Sequence, residues 1–163
     1  MKKLGLVGAL LVAAPAAAAG ITITKSAAPV SDGYSTLGPK ALPGATIEYT
    51  LVATNPVGNL STITAVGVCD VLPAQVTLLT ADLTTNGGPV AFSQGLTGSG
   101  LSYSYVSLAS AADGLTFFDS TGAAIATPTA GSDARVRKIC VALTGTQMIV
   151  AGSFRLRYRG VVR

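Results

Sequence analysis

The sequence predicts an all-β fold, a single-domain β-sandwich, on three observations. Short segments with a period of two recur along the chain, and none shows helical spacing. Gly, Pro, Asn and Ser gather between those segments, where turns are needed. Charged residues make up only 11% of the chain, against the usual quarter. Abundant Thr and Val suit strands that lie in an ordered, packed assembly, where a soluble helical protein would need many more Glu, Lys, Arg and Leu.

Residues 1–19 read as a secretory signal peptide. Lys2 and Lys3 give the positive start, Leu4 to Ala14 the apolar run, and Ala16 to Ala19 a small-residue cleavage site. The run is too short to cross a bilayer, which takes about 20 apolar residues. Residues 20–163 are then expected as the folded domain, with no membrane anchor. The expected location is secreted or extracellular, at a bacterial cell surface or in the periplasm.

The mature chain opens on a short alternating strand, Ile21, Thr22, Ile23 and Thr24. Residues 28–44 hold Pro29, Gly33, Gly38, Pro39, Pro43 and Gly44, and are expected to form a loop. The stretch from Pro43 to Pro73 follows, and the rest of the chain is organised around it. Ile47, Tyr49, Leu51 and Ala53 share one face; Thr46, Glu48, Thr50 and Thr54 share the other, with Val52 the exception. Asn55-Pro56-Val57-Gly58-Asn59 makes the turn. In the second strand Val66, Val68 and Leu72 share a face, and Pro73 ends the pairing because it has no N–H to donate. Ile47, Tyr49, Leu51 and Leu72 are therefore the expected core anchors. Short strands are expected over 75–80, 89–92, 101–106, 115–118 and 123–127, and two longer ones over 136–143 and 154–162. Strands at this spacing indicate a sandwich.

Pro43-Gly44, Tyr49, Asn55 and Asp70-x-Leu72-Pro73, with Lys25 and Pro29 before them, resemble the domain-of-unknown-function eleven family, an immunoglobulin-like repeat of bacterial and archaeal surface proteins. The likeness runs from Lys25 to about Leu79. Family members often carry tandem copies, whereas this chain has room for one; Pro56 and Val57 also stand where the family commonly has Gly close after its Asn. The resemblance implies an immunoglobulin-like β-sandwich in a secreted or surface-attached protein, and implies no enzymatic activity.

Little chemistry is on offer. There is no His, which removes the commonest general base and the commonest metal ligand. The seven carboxylates, Asp32, Glu48, Asp70, Asp82, Asp113, Asp119 and Asp133, are scattered and form no calcium-loop pattern. No cofactor, metal site or catalytic set is expected, and the chain reads as a non-enzyme. Asp70 reads as a short acceptor that ties down the turn entering Leu72-Pro73. Asn59-Leu60-Ser61 matches a glycosylation sequon by chance as easily as by use. Without Lys2 and Lys3, nine basic side chains face seven acidic ones, a net +2, too weak to argue for nucleic acid.

The distribution of charge says more. Arg155, Arg157 and Arg159 alternate with Phe154, Leu156 and Tyr158 in the last strand. One reading is a charged outer face that blocks edge pairing. The other is a face for an anionic polysaccharide or acidic partner, to which the planar guanidinium is suited.

Cys69 and Cys140 are the only cysteines, and export would place them in an oxidising compartment. Val66 and Val68 face the core, so Cys69 faces out; Ile139, Val141 and Leu143 face the core, so Cys140 faces out. A cross-strand bridge on an outer sheet face is expected, with a bond between subunits as its rival.

Two functions follow. The first is a structural subunit that associates with copies of itself or with other surface proteins, in filaments or a surface layer, with Ile21–Thr24 as a strand that can complete a neighbour's sheet. The alternative is a monomeric adhesion module that binds an anionic glycan through Arg155, Arg157 and Arg159. Pairing of Ile21–Thr24 within its own sheet is the default expectation.

Overall fold

A computed structural model of the chain describes residues 20–35, 37–59, 61–147 and 151–163. The expected signal peptide lies outside the described residues. Among these the fold is all-β, with twelve strands and no helix: β1 (Thr22–Ser31), β2 (Thr46–Thr54), β3 (Ile63–Thr64), β4 (Gly67–Val71), β5 (Val76–Leu79), β6 (Val90–Gln94), β7 (Leu101–Ser102), β8 (Leu115–Phe118), β9 (Ser132–Asp133), β10 (Lys138–Ala142), β11 (Thr144–Gln147) and β12 (Ser153–Val162).

The first sheet is ordered β1-β2-β12 and is antiparallel throughout. The far edge of β12 is shared, by β6 along Phe154–Tyr158 and by β5 along Gly160–Val162, with β9 beyond β5. The second layer is ordered β4-β10-β8, and β3-β11-β7 continues it. The two groups join at Leu143, whose N–H donates to the carbonyl of Val66 at 2.9 Å. Ala65, at φ 54°, interrupts the line between β3 and β4.

Period two decides what lies between the layers. Ile47, Tyr49, Leu51 and Ala53 of β2 and Phe154, Leu156 and Tyr158 of β12 are buried from one side. Val68, Leu72, Leu115, Phe117, Ile139 and Val141 are buried from the other, in the same cluster. Tyr49 and Tyr158 are directly opposed across the β2–β12 ladder and stack at 5.0 Å. Phe154 stacks on Phe92 at 5.7 Å. Offset aromatic pairs of this kind add about 0.5–1.5 kcal/mol to the burial itself, which matters in a core without Trp.

Several sequence expectations need correction. Residues 28–31 are strand, not loop: β1 runs on to Ser31 across an irregularity between Pro29 and Ser31. An edge strand tolerates Pro because its missing N–H faces away from the ladder. Residues 123–127 form no strand, only an isolated bridge between Phe118 and Ala124, and the strand expected over 101–106 stops at Ser102. The 136–143 strand begins at Lys138, and β3, β9 and β11 have no counterpart in the sequence reading.

Candidate functional site

β1 lies along its own β2, from Thr22 opposite Thr54 to Ser31 opposite Thr46. No strand pairs with its other edge among the described residues. Its first seven residues are exposed. A stretch of 14 residues, 32–45, connects it to β2, where an antiparallel hairpin needs about 2–5. Asp32 pegs that connection: Oδ1 accepts the N–H groups of Tyr34 and Ser35 at 2.9 and 2.7 Å, and Oδ2 that of Lys40 at 3.0 Å. These bonds, the one from Lys40 first, hold the Asp32 carboxyl below its usual range.

Lys25 is the inward hold on β1. Its Nζ donates to Asp70 Oδ1 at 2.8 Å and to the Val71 carbonyl at 3.2 Å, and lies 5.1 Å from the centre of the Tyr49 ring. The other oxygen of Asp70 accepts the hydroxyl of Tyr158 at 2.5 Å. Asp70 therefore ties β4 to β12 and β1. It is not the turn acceptor that the sequence suggested, because its position on β4 shares the inner face with Val68. Burial first, then the bond to Asp70, pushes the Tyr158 phenol far above its usual range.

Arg155, Arg157 and Arg159 stand on the outer face of the first sheet, opposite Val52, Thr50 and Glu48 of β2. Glu48 Oε2 accepts Arg159 Nη2 and Nε at 2.9 and 3.0 Å, while Oε1 accepts Arg157 Nη1 at 3.3 Å. One carboxylate thus serves two arginines, and the ladder keeps a net positive charge.

Cys69 and Cys140 are directly opposed in the β4–β10 ladder and form a disulfide, with Cα atoms 4.0 Å apart. Cys69 is exposed and Cys140 half-buried, so the bond lies on the outer side of the second layer. A disulfide within the chain fits an extracellular location.

The remaining carboxylates that hold structure do so locally. Asp113 accepts from Val106 N and Leu115 N, and Asp119 from Thr121 and Ala123. Asp133, buried, accepts from Thr129 N and from the backbone and guanidinium of Arg135. The Arg135 hydrogen bond is the chief reason its carboxyl is pulled down to about 2. Asn59 of the sequon is buried and accepts Ser61 N–H through Oδ1. Among the described residues no three His, Cys, Asp or Glu side chains gather as a metal site, and no helix is long and apolar enough to cross a membrane.

Sequence reasoning missed a cleft of about 290 Å³ at the free edge of β6, walled by the 84–87 turn, β6, Tyr103–Tyr105 and Arg157. Tyr103 and Tyr105 pack on the rim of the core, and burial pushes both phenols up. The Tyr103 hydroxyl is buried and meets no partner among the described residues. The only signal in the sequence was the pair of tyrosines two residues apart, and the strand expected to carry them ends before them at Ser102. A larger open groove, about 580 Å³, lies between Asp119 and Arg137. Its arginines are already committed, Arg135 to Asp133 and Arg137 to the carbonyls of Val76 and Ala134.

No protein-family model, curated protein or solved structure matches the chain.

Proposed function

We propose that this chain is a non-enzymatic structural subunit of a bacterial surface or extracellular matrix, which assembles by laying β1 of one copy along β2 of another. The observation that carries the reading is the way β1 is held. It is an edge strand, exposed over its first seven residues and attached through its β2 ladder and Lys25. Its 14-residue connection to β2 reaches about 45–50 Å when extended, whereas β2 spans about 30 Å. Such a connection lets β1 leave its own sheet and complete a neighbour's, which is the domain-swapping route to association. The connection also displays Tyr34 and Leu37 at 90% and 91% exposure, side chains that a crossing over a neighbour's surface would cover. The low charge content and the resemblance of residues 25–79 to a surface-protein repeat support the same reading.

The test uses the directly opposed pair Thr24 and Val52. Each is changed to Cys in a separate chain, and the two purified proteins are mixed and oxidised. Strand exchange gives a covalent heterodimer on a non-reducing gel, and oligomers by size-exclusion chromatography and electron microscopy. A double variant, Thr24→Cys/Val52→Cys, oxidised within one chain should stay monomeric. Oligomers from that locked chain, or no heterodimer from the mixture, would rule out exchange.

A further inference from the structure

We propose that the cleft beside β6 binds one hexuronate residue of an acidic polysaccharide, with Arg157 taking the carboxylate. This site lies at the opposite edge of the first sheet from β1, so it stands or falls separately from strand exchange. The cleft's volume, about 290 Å³, is at the lower bound of small-molecule pockets and suits a single sugar ring.

Its position follows from the register. Arg157 is directly opposite Ala91 on β6. Arg157 lines the cleft beside the small Ala91 side chain, while its Nη1 bonds Glu48 on β2. Arg155 is opposite Ser93 and is not part of the wall. Arg159 is taken by Glu48 through two contacts, whereas Arg157 makes one longer contact with the same carboxylate. Arg157 therefore has donors left for a ligand, since only one of the five N–H groups in its carboxylate-matching fork is engaged by Glu48.

The opposite wall supplies the rest of a sugar site. Tyr105 packs against the backbone of Gly88 so closely that a Cβ there would lie 2.5 Å from its ring. That contact fixes the ring as a platform for the apolar C–H face of a pyranose, which meets the electron-rich face of an aromatic ring favourably. Asn86 sits at φ 56° at the turn, and its amide offers both a donor and an acceptor to ring hydroxyls. Tyr103 closes the floor with a hydroxyl that has no partner among the described residues, and buried hydroxyls of this kind call for an explanation.

The experiment is titration of the native chain with trigalacturonate, followed by heteronuclear NMR and calorimetry. Shifts should centre on residues 86–92, 103–105 and 157. Arg157→Gln should weaken binding about tenfold or more, the worth of one charge-assisted contact. Arg155→Gln, with the same change of charge but outside the cleft, should stay within about twofold. Asn86→Gly, which keeps the turn's backbone, should weaken binding about threefold, a fraction of a neutral hydrogen bond. The uncharged trigalactoside should bind more weakly by about the same factor as Arg157→Gln loses. Equal losses in Arg155→Gln and Arg157→Gln, equal binding of the uncharged sugar, equal binding of a tetraglutamate peptide, or no binding at millimolar concentration would each overturn the proposal.

Discussion

Lys25→Met should loosen β1 without unfolding the sandwich. In the closed form Lys25 contributes an ion pair with Asp70 and a cation–π contact with Tyr49. Lys25 is 34% exposed and Asp70 10%, so the pair is discounted for solvent to about 0.5–1 kcal/mol. The cation–π contact, at its 5.1 Å distance, adds about 0.5–1 kcal/mol. When β1 opens, wild type loses both contacts, whereas the variant has none to lose. The substitution therefore raises the closed form alone, by about 1–2 kcal/mol, and the opening constant rises about 5–30-fold. Met keeps the length and apolar stem of Lys, so packing over Tyr49 is largely retained. Hydrogen exchange read by mass spectrometry on peptides covering 22–31 and 46–54 measures the opening directly. Exchange should speed up in those peptides and stay unchanged in β8 and β10, and assembly should begin sooner. Exchange over 22–31 within about twofold of wild type, alongside a lower global stability, would show that Lys25 props the core and does not latch the strand.

Three further outcomes follow from the same geometry. Cys69→Ser/Cys140→Ser opens a loop with a sequence separation of 71, which costs about 4 kcal/mol by chain entropy and lowers the melting temperature by roughly 10–15 °C; scanning calorimetry with an unchanged midpoint would refute it. The Asp133 carboxyl titrates at about 2 when folded and near 3.9 unfolded, so its contribution is fully present above about pH 4 and is lost as pH falls through 2. Asp133→Asn should therefore flatten the acid limb of stability between about pH 4 and 2, and an unaltered limb in urea melts would contradict this. Gly114 and Gly122 both have positive φ, but a Cβ at Gly114 would lie 2.4 Å from the Ala142 carbonyl oxygen, while nothing lies within 4 Å at Gly122. Gly122→Ala should cost about 1–2 kcal/mol for backbone strain alone, and Gly114→Ala clearly more; equal costs would mean that the ladder near Ala142 relaxes freely.

What could be read from the chain was what period two determines by itself. Alternation puts Tyr49 between Ile47 and Leu51 on the buried side, and Cys69 and Cys140 each one step out of phase with buried neighbours. Those facings need no knowledge of which strands are adjacent. The rest depends on adjacency, which local pattern does not carry. Pro29 and Gly33 look like loop punctuation, yet Pro29 is compatible with an edge strand, and only the pairing shows that no strand lies beyond β1 among the described residues. Asp70 is the sharper case. The parity that puts Val68 and Leu72 inside puts Asp70 inside too, and a carboxylate on a core face requires partners. Those partners, Lys25 and Tyr158, are 45 and 88 residues away in sequence, so the need was legible and the means of meeting it was not. The same holds for Arg157 and Ala91, whose opposition opens the cleft. The features that distinguish this sandwich from a generic one are therefore long-range pairs of charged and aromatic residues. The tie on β1 is one of them: Lys25 joins an edge strand to Asp70 of the second layer and to the Tyr49 ring.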